Sequence, residues 1–346
     1  MSLKIERLLI QAQKKIKKDK IDDARKDLLS ILEISPLNQK AKQWLSKLDQ
    51  NIQIKPTQSQ LQLVIDIFSR GDTQNALKKL EALILKFPNE ASIFNIKGVI
   101  LKSTNNVTLA VECFNKAISL KPDFAQSYFN LGAICQENNN LDKALDFYKK
   151  ALAIDPTYSN AHNNLGLIHL DQSNSRLAIS HFELAIKAQP SYSEAHNNLG
   201  AAFQVLNEFY KAIKCFETAV LISPNYAQAQ NNLGISFQAI GQKNIAIRHY
   251  ENAINISPGF ASAHHNLSRI KNYKENDFQI TEMISQLDKN LNYRDRGYLC
   301  FALANAYDYL GNLDKQFKFL NEGNKIFNKN LNYSIQNDKD KISLIK

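Results

Sequence analysis

From residue 57 to residue 260, apolar positions recur with helical spacing, and the helical stretches come in pairs whose pattern returns every 34 residues. The stretch Ala161-His162-Asn163-Asn164-Leu165-Gly166 has near-copies at Ser127–Gly132, Ala195–Gly200, Ala229–Gly234 and Ala263–Ser268. Pro88, Pro122, Pro156, Pro190, Pro224 and Pro258 keep the same step. Six blocks follow: 57–90, 91–124, 125–158, 159–192, 193–226 and 227–260. Each reads as a helical hairpin too small to bury its own apolar face, so the blocks must stack.

Single positions within the block support this. The residue after each proline is Asn89, Asp123, Thr157, Ser191, Asn225 or Gly259, which predicts a helix N-cap. Midway stand Gly71, Asn105, Asn139, Ser173, Asn207 and Gly241, types suited to the left-handed residue that ends a helix. Gly98, Gly132, Gly166, Gly200 and Gly234 recur inside the first helix. A helical glycine costs about 1 kcal/mol relative to alanine, so its return implies close packing. Phe114, Tyr148, Phe182, Phe216 and Tyr250 are expected to fill the layer between hairpins.

Register breaks at both ends. Residues 1–56 read as a degenerate helical repeat with Leu8, Ala12, Ala24, Leu28 and Ile31 inward. A lone helix near Trp44–Leu48 and a linker at Ile52–Thr57 follow it. Residues 261–346 read as capping helices: a first helix over Ala261–Lys274, another over Phe278–Leu291, and a worn hairpin over Arg296–Asn328. In that hairpin Ala304 takes the glycine position, Gly311 the turn and Leu320 the aromatic slot; a charged tail, Leu331–Lys346, ends the chain.

Charge narrows the choice of partner. The formal excess is +10, but residues 1–50 hold twelve basic against seven acidic side chains, while 51–260 hold 18 against 16. A near-neutral middle and a Lys14–Lys20 cluster interrupted by Ile16 and Asp19 suit a solvated helix face, so no nucleic acid is expected. Cys113, Cys135, Cys215 and Cys300 are scattered, as buried thiols in a reducing compartment would be. No apolar run is long enough to span a membrane, and charges interrupt the N-terminus where a signal core would lie; a soluble, cytoplasmic protein is expected. The eleven glycines are not clustered before a helix as a phosphate cradle requires, and no cofactor is expected. His162, His196 and His264 repeat in separate hairpins, whose spacing of about 8–10 Å suits packing better than a shared metal. No nucleophile–base arrangement stands out, and an enzyme is not expected.

The feature that points to function is a column of amides: Asn130, Asn164, Asn198, Asn232 and Asn266. Asparagine is a poor helix-interior residue, so five returns need a reason. In a stacked array these amides would line an inner wall at intervals of about 9–10 Å. An extended peptide advances about 3.3 Å per residue and would meet one amide every third residue or so. Asn163, Asn197 and Asn231, with Gln136, Gln204 and Gln238, are expected to extend that polar lining.

The combined spacing of Leu-Gly, Ala, aromatic, Ala and Pro resembles the tetratricopeptide repeat. The resemblance implies an all-α, right-handed superhelix that acts as a non-catalytic scaffold and binds protein or peptide segments in its concave groove. The asparagine column resembles the superhelical arm of O-linked N-acetylglucosamine transferase. The run His264-His265-Asn266-Leu267-Ser268, with Cys300–Ala304, Leu320–Asn324 and Leu331-Asn332-Tyr333, resembles bacterial fusions of tetratricopeptide repeats to a sulfotransferase. That second likeness implies an alternative: the substrate-docking part of a sulfotransferase or glycosyltransferase, associated with a catalytic domain outside this chain. The phosphosulfate-binding loop of the sulfotransferases matches nothing here, so no catalytic residue carries over.

Overall fold

The computed structural model describes residues 2–17, 21–51 and 55–330; the expectations for Lys18–Lys20, most of the linker and the Leu331–Lys346 tail lie outside them. The described residues form nineteen helices and no strand. They divide into two compact units, Met1–Ser127 and Tyr128–Lys346.

In the first unit, α1 (Ser2–Lys17) and α2 (Ile21–Ile34) pair, and α3 (Gln39–Asn51) packs on α2. Of the residues expected inward, Ala12, Ala24, Leu28 and Ile31 are fully buried and Leu8 is partly buried against them; Ala41 joins the same core. Two hairpins follow, α4 (Gln58–Ser69) with α5 (Thr73–Lys86) and α6 (Ala91–Ser103) with α7 (Val107–Leu120). Next comes α8 (Ala125–Glu137), within which the division falls.

The second unit continues with α9 (Leu141–Ile154), then α10 (Ser159–Asp171) with α11 (Ser175–Ala188). The pairs α12 (Ser193–Val205) with α13 (Phe209–Ile222) and α14 (Ala227–Ala239) with α15 (Lys243–Ile256) come next. Four helices complete it: α16 (Ala261–Ser268), α17 (Phe278–Leu287), α18 (Tyr293–Tyr309) and α19 (Leu313–Asn330).

The turn inside each hairpin follows the sequence. Asn105, Asn139, Ser173 and Asn207 have φ of 62°, 56°, 63° and 59°, and Gly71, Gly241 and Gly311 lie at 86°, 80° and 70°. The paired backbone bonds of a Schellman motif accompany them: Asn139 N donates to Gln136 O, and Asn140 N to Cys135 O. The residues after the prolines behave differently. Helices α10, α12, α14 and α16 are capped by Tyr158, Tyr192, Tyr226 and Phe260, with no side-chain cap bond. Tyr158 N donates to Asp155 O and Tyr226 N to Ser223 O, which closes a β-turn with proline at its second position. Thr157 and its counterparts are therefore third residues of that turn, not N-caps.

The recurring glycines are sites of close approach. A Cβ built on Gly98, Gly132 or Gly200 would stand 2.6 Å from the ring of Phe114, Tyr148 or Phe216 in the same hairpin. The far side of the ring reaches the next hairpin, so Phe182 shares a core with Leu199 and Phe216 with Leu233. In the last hairpin the arrangement occurs both ways: Gly297 on the first helix faces the ring of Phe327 on the second, and a converse pair stands beside it. There the aromatic lies on the first helix and the glycine on the second: Phe301 packs on Gly323, and a Cβ there would meet the ring at 2.7 Å. Ala304 is buried.

The first helix expected over Ala261–Lys274 stops at Ser268. A buried chain of neutral groups fixes the bend beyond it: Tyr273 OH donates to Gln279 Oε1 at 2.9 Å, Gln279 Nε2 lies 3.4 Å from His264 Nδ1, and His264 Nε2 lies 2.9 Å from Pro258 O. The prolyl carbonyl can only accept, so His264 carries its proton on Nε2 and accepts at Nδ1.

Candidate functional site

Within the second unit, like helices meet in one layer: α10 touches α12, α12 touches α14 and α14 touches α16. Every asparagine of the expected column from Asn164 onward lies in these helices, as do its Asn163, Asn197 and Asn231 neighbours. The structure joins the two sets. Asn198 Nδ2 donates to Asn163 Oδ1 at 2.9 Å, Asn232 Nδ2 to Asn197 Oδ1 at 3.0 Å, and Asn266 Nδ2 to Asn231 Oδ1 at 3.0 Å. Each bond spans 35 residues, one repeat plus one, and ties a hairpin to the one before it.

Asn164 differs because the residue 35 positions earlier is Phe129, which offers no acceptor. Its Nδ2 donates instead to the hydroxyl of Tyr148 at 2.9 Å, and that hydroxyl donates to Gln136 Oε1 at 2.7 Å. Burial pushes the Tyr148 phenol up to about 12, so it remains a donor at any physiological pH. Asn130 is half-buried on α8.

Two sequence expectations change. Asn163, Asn197 and Asn231 do not extend an open lining; they are 0 %, 5 % and 3 % exposed and lie beneath the column as its acceptors. The amides of Asn198, Asn232 and Asn266 are not free-standing either, since each spends its Nδ2 donor on the preceding hairpin. The glutamines also share in packing. Gln238 Oε1 accepts from Tyr250 OH at 2.8 Å, and Gln204 Nε2 donates to Ser236 Oγ at 2.7 Å and to Asn232 O at 3.0 Å. Gln136, Gln204 and Gln238 are half-buried, as are Leu167, Ala201 and Ile235 one turn from the asparagines.

The repeating histidines hold loops. His162, His196 and His264 each place Nε2 2.9–3.1 Å from the carbonyl of the proline six residues earlier. A second layer of imidazoles is not foreshadowed by the 34-residue column. His162 Nδ1 lies 3.1 Å from His181 Nδ1, and His169 stacks on His181 at 5.5 Å. Because Pro156 O fixes the proton of His162 on Nε2, His181 must donate to it. Burial, then the neighbouring His162 and His169, lower His181 to about 4. One repeat pair on, His249 Nδ1 lies 2.8 Å from Gln230 Oε1 in the same relation, 19 residues apart. That spacing is the sequence signal for these contacts.

Burial raises all four thiols, Cys215 to about 11 and Cys300 to about 12, which keeps them protonated and poorly nucleophilic. Among the described residues no group of three His, Cys, Asp or Glu side chains is placed to hold a metal ion, and no helix is long and apolar enough to cross a membrane.

Comparison with known proteins defines the class. Tetratricopeptide repeat models match residues 125–158, 193–226 and 147–180, and a TPR repeat model matches 98–139. The matched residues therefore carry tetratricopeptide repeats, and the fold is all-α. Among solved structures it is similar to the APC/C hetero-tetramer Cut9–Hcn1, with a TM-score of 0.56 and 18 % identity over 86 % of this chain and 55 % of that one. It is also similar to PilW, a type IV pilus biogenesis factor, with a TM-score of 0.52 and 21 % identity over 62 % of this chain and 99 % of that one. These likenesses concern the fold alone. No curated protein matches the chain.

Proposed function

We propose that this protein is a non-catalytic interaction scaffold, and that the first-helix layer of its second unit binds an extended segment of a partner protein. The observation that supports this reading is the row formed by Asn164, Asn198, Asn232 and Asn266 on α10, α12, α14 and α16, of which Asn232 is buried and the other three are half-buried. Their Nδ2 donors lock the hairpins together, which fixes the row's geometry before any ligand arrives. A rigid row lowers the ordering cost of binding. Oδ1 atoms of Asn164 and Asn266, and Nε2 atoms of Gln136 and Gln238, are the groups offered to a peptide backbone.

Site-specific photo-crosslinking tests the assignment. A benzophenone side chain at Ala201, on the inner face, is expected to capture a bound peptide selected from a random library. One at Leu184, 41 % exposed on α11, is expected to capture none. Adducts from position 184 alone would reject the inner face.

A further inference from the structure

Basic residues are sorted between the two helices of each hairpin. In the second unit, α10, α12, α14 and α16 contain no lysine or arginine at all. The second helices α9, α11, α13 and α15 contain nine: Lys143, Lys149, Lys150, Arg176, Lys187, Lys211, Lys214, Lys243 and Arg248. The first-helix layer also holds few carboxylates. Glu194 lies in the first turn of α12, one turn before Asn198, and Asp171 in the last turn of α10, two turns after Asn164; both are exposed at helix ends, and Glu137 ends α8. The first cation along the layer is Arg269, immediately beyond α16. Between these ends the surface is amide and aliphatic, with Leu167, Ala201 and Ile235 half-buried beside the row.

Resting on the reading of this layer as the binding face, we infer that its partner is an uncharged extended segment with small aliphatic or hydroxyl side chains, not an acidic, phosphorylated or basic one. A carboxylate or phosphate laid on this row would lose water and meet no cation, and an unpaired charge removed from water is strongly disfavoured. A basic segment would meet only the solvated carboxylates at the helix ends, whose attraction salt screens. A neutral backbone finds both partners it needs: side-chain amides to exchange hydrogen bonds with, and shallow aliphatic steps between them. The cation-free layer thus selects against charge as well as for backbone.

The test is selection of twelve-residue peptides from a random phage-displayed library on the full chain, followed by titration of the enriched peptides at 50 and 500 mM NaCl. Enrichment of peptides lacking Asp, Glu, Lys and Arg is expected. Their affinity should change less than twofold with salt and fall at least tenfold in the variant Ala201→Arg. That substitution obstructs the row and leaves every asparagine in the sequence. Enriched acidic or basic peptides whose binding still falls in Ala201→Arg would overturn the neutral partner but leave the binding face standing. Enriched peptides indifferent to Ala201→Arg would overturn the face itself, and no enrichment above the naive library would overturn both.

Discussion

The side-chain amide of Asn198 donates to Oδ1 of Asn163, 35 residues earlier, across the junction of two hairpins. Asn163 is fully buried, so its oxygen has no water to turn to. Asn198→Ala should cost about 1–3 kcal/mol, the range for leaving a buried acceptor unsatisfied. Urea denaturation of Asn198→Ala, Asn163→Ala and the double variant should show the double costing less than the sum of the singles. Strict additivity would mean that the pair does not couple the hairpins.

Gly200 faces the ring of Phe216, where a methyl group would come within 2.6 Å. Gly200→Ala gains about 1 kcal/mol of helix propensity. It must also displace a fully buried ring, which costs roughly 1–3 kcal/mol. The clash should win, lowering the melting temperature, and Phe216→Leu in the same chain should relieve it. A stabilised Gly200→Ala would show that the helices separate freely.

Ser173 holds φ of 63° in the turn between α10 and α11, where its neighbours in the repeat are Asn or Gly. Ser173→Gly should stabilise the chain by about 0.5–1 kcal/mol, and Ser173→Val should destabilise it by about 1–2 kcal/mol. Chemical denaturation of the two variants gives opposite signs if the left-handed turn is retained.

All seven histidines lie between residues 162 and 265, within the second unit. Burial lowers His181 to about 4 and lowers His249, His264 and His265 as well. The unfolded chain therefore takes up protons that the folded chain refuses. Stability from these groups is complete above the ordinary histidine value of about 6.5 and falls as pH drops from there towards 4. The sole tryptophan, Trp44, lies in the first unit and reports on it alone. Between pH 7 and 5 the circular-dichroism melt should shift downward more than the Trp44 fluorescence melt, and His181→Gln should reduce the difference. Equal shifts would count against the buried imidazoles.

Much of this was legible in the chain because each position has one dominant cause. A left-handed turn favours Gly or Asn, and a close crossing favours Gly, so both are marked by residue type alone. The caps are not legible in the residue types, because a proline two places before the cap builds a β-turn, and Thr157 serves that turn. The asparagine column was visible, but its pairing was not. The 34-residue period hides a contact that runs from Asn198 to Asn163, one residue out of step. The exception is consistent: where Phe129 breaks the second column, Asn164 turns to Tyr148. The end of α16 is not legible, because the Tyr273–Gln279–His264 chain that holds the bend beyond it is tertiary, with no local helix stop to announce it.

The central claim, that the first-helix layer of the second unit is the binding face, is tested most directly by isothermal titration of one library-selected peptide into the wild type and into Ala201→Arg. The account predicts binding at least tenfold weaker in the variant, with an unchanged melting temperature. Equal affinity in the two proteins would contradict it.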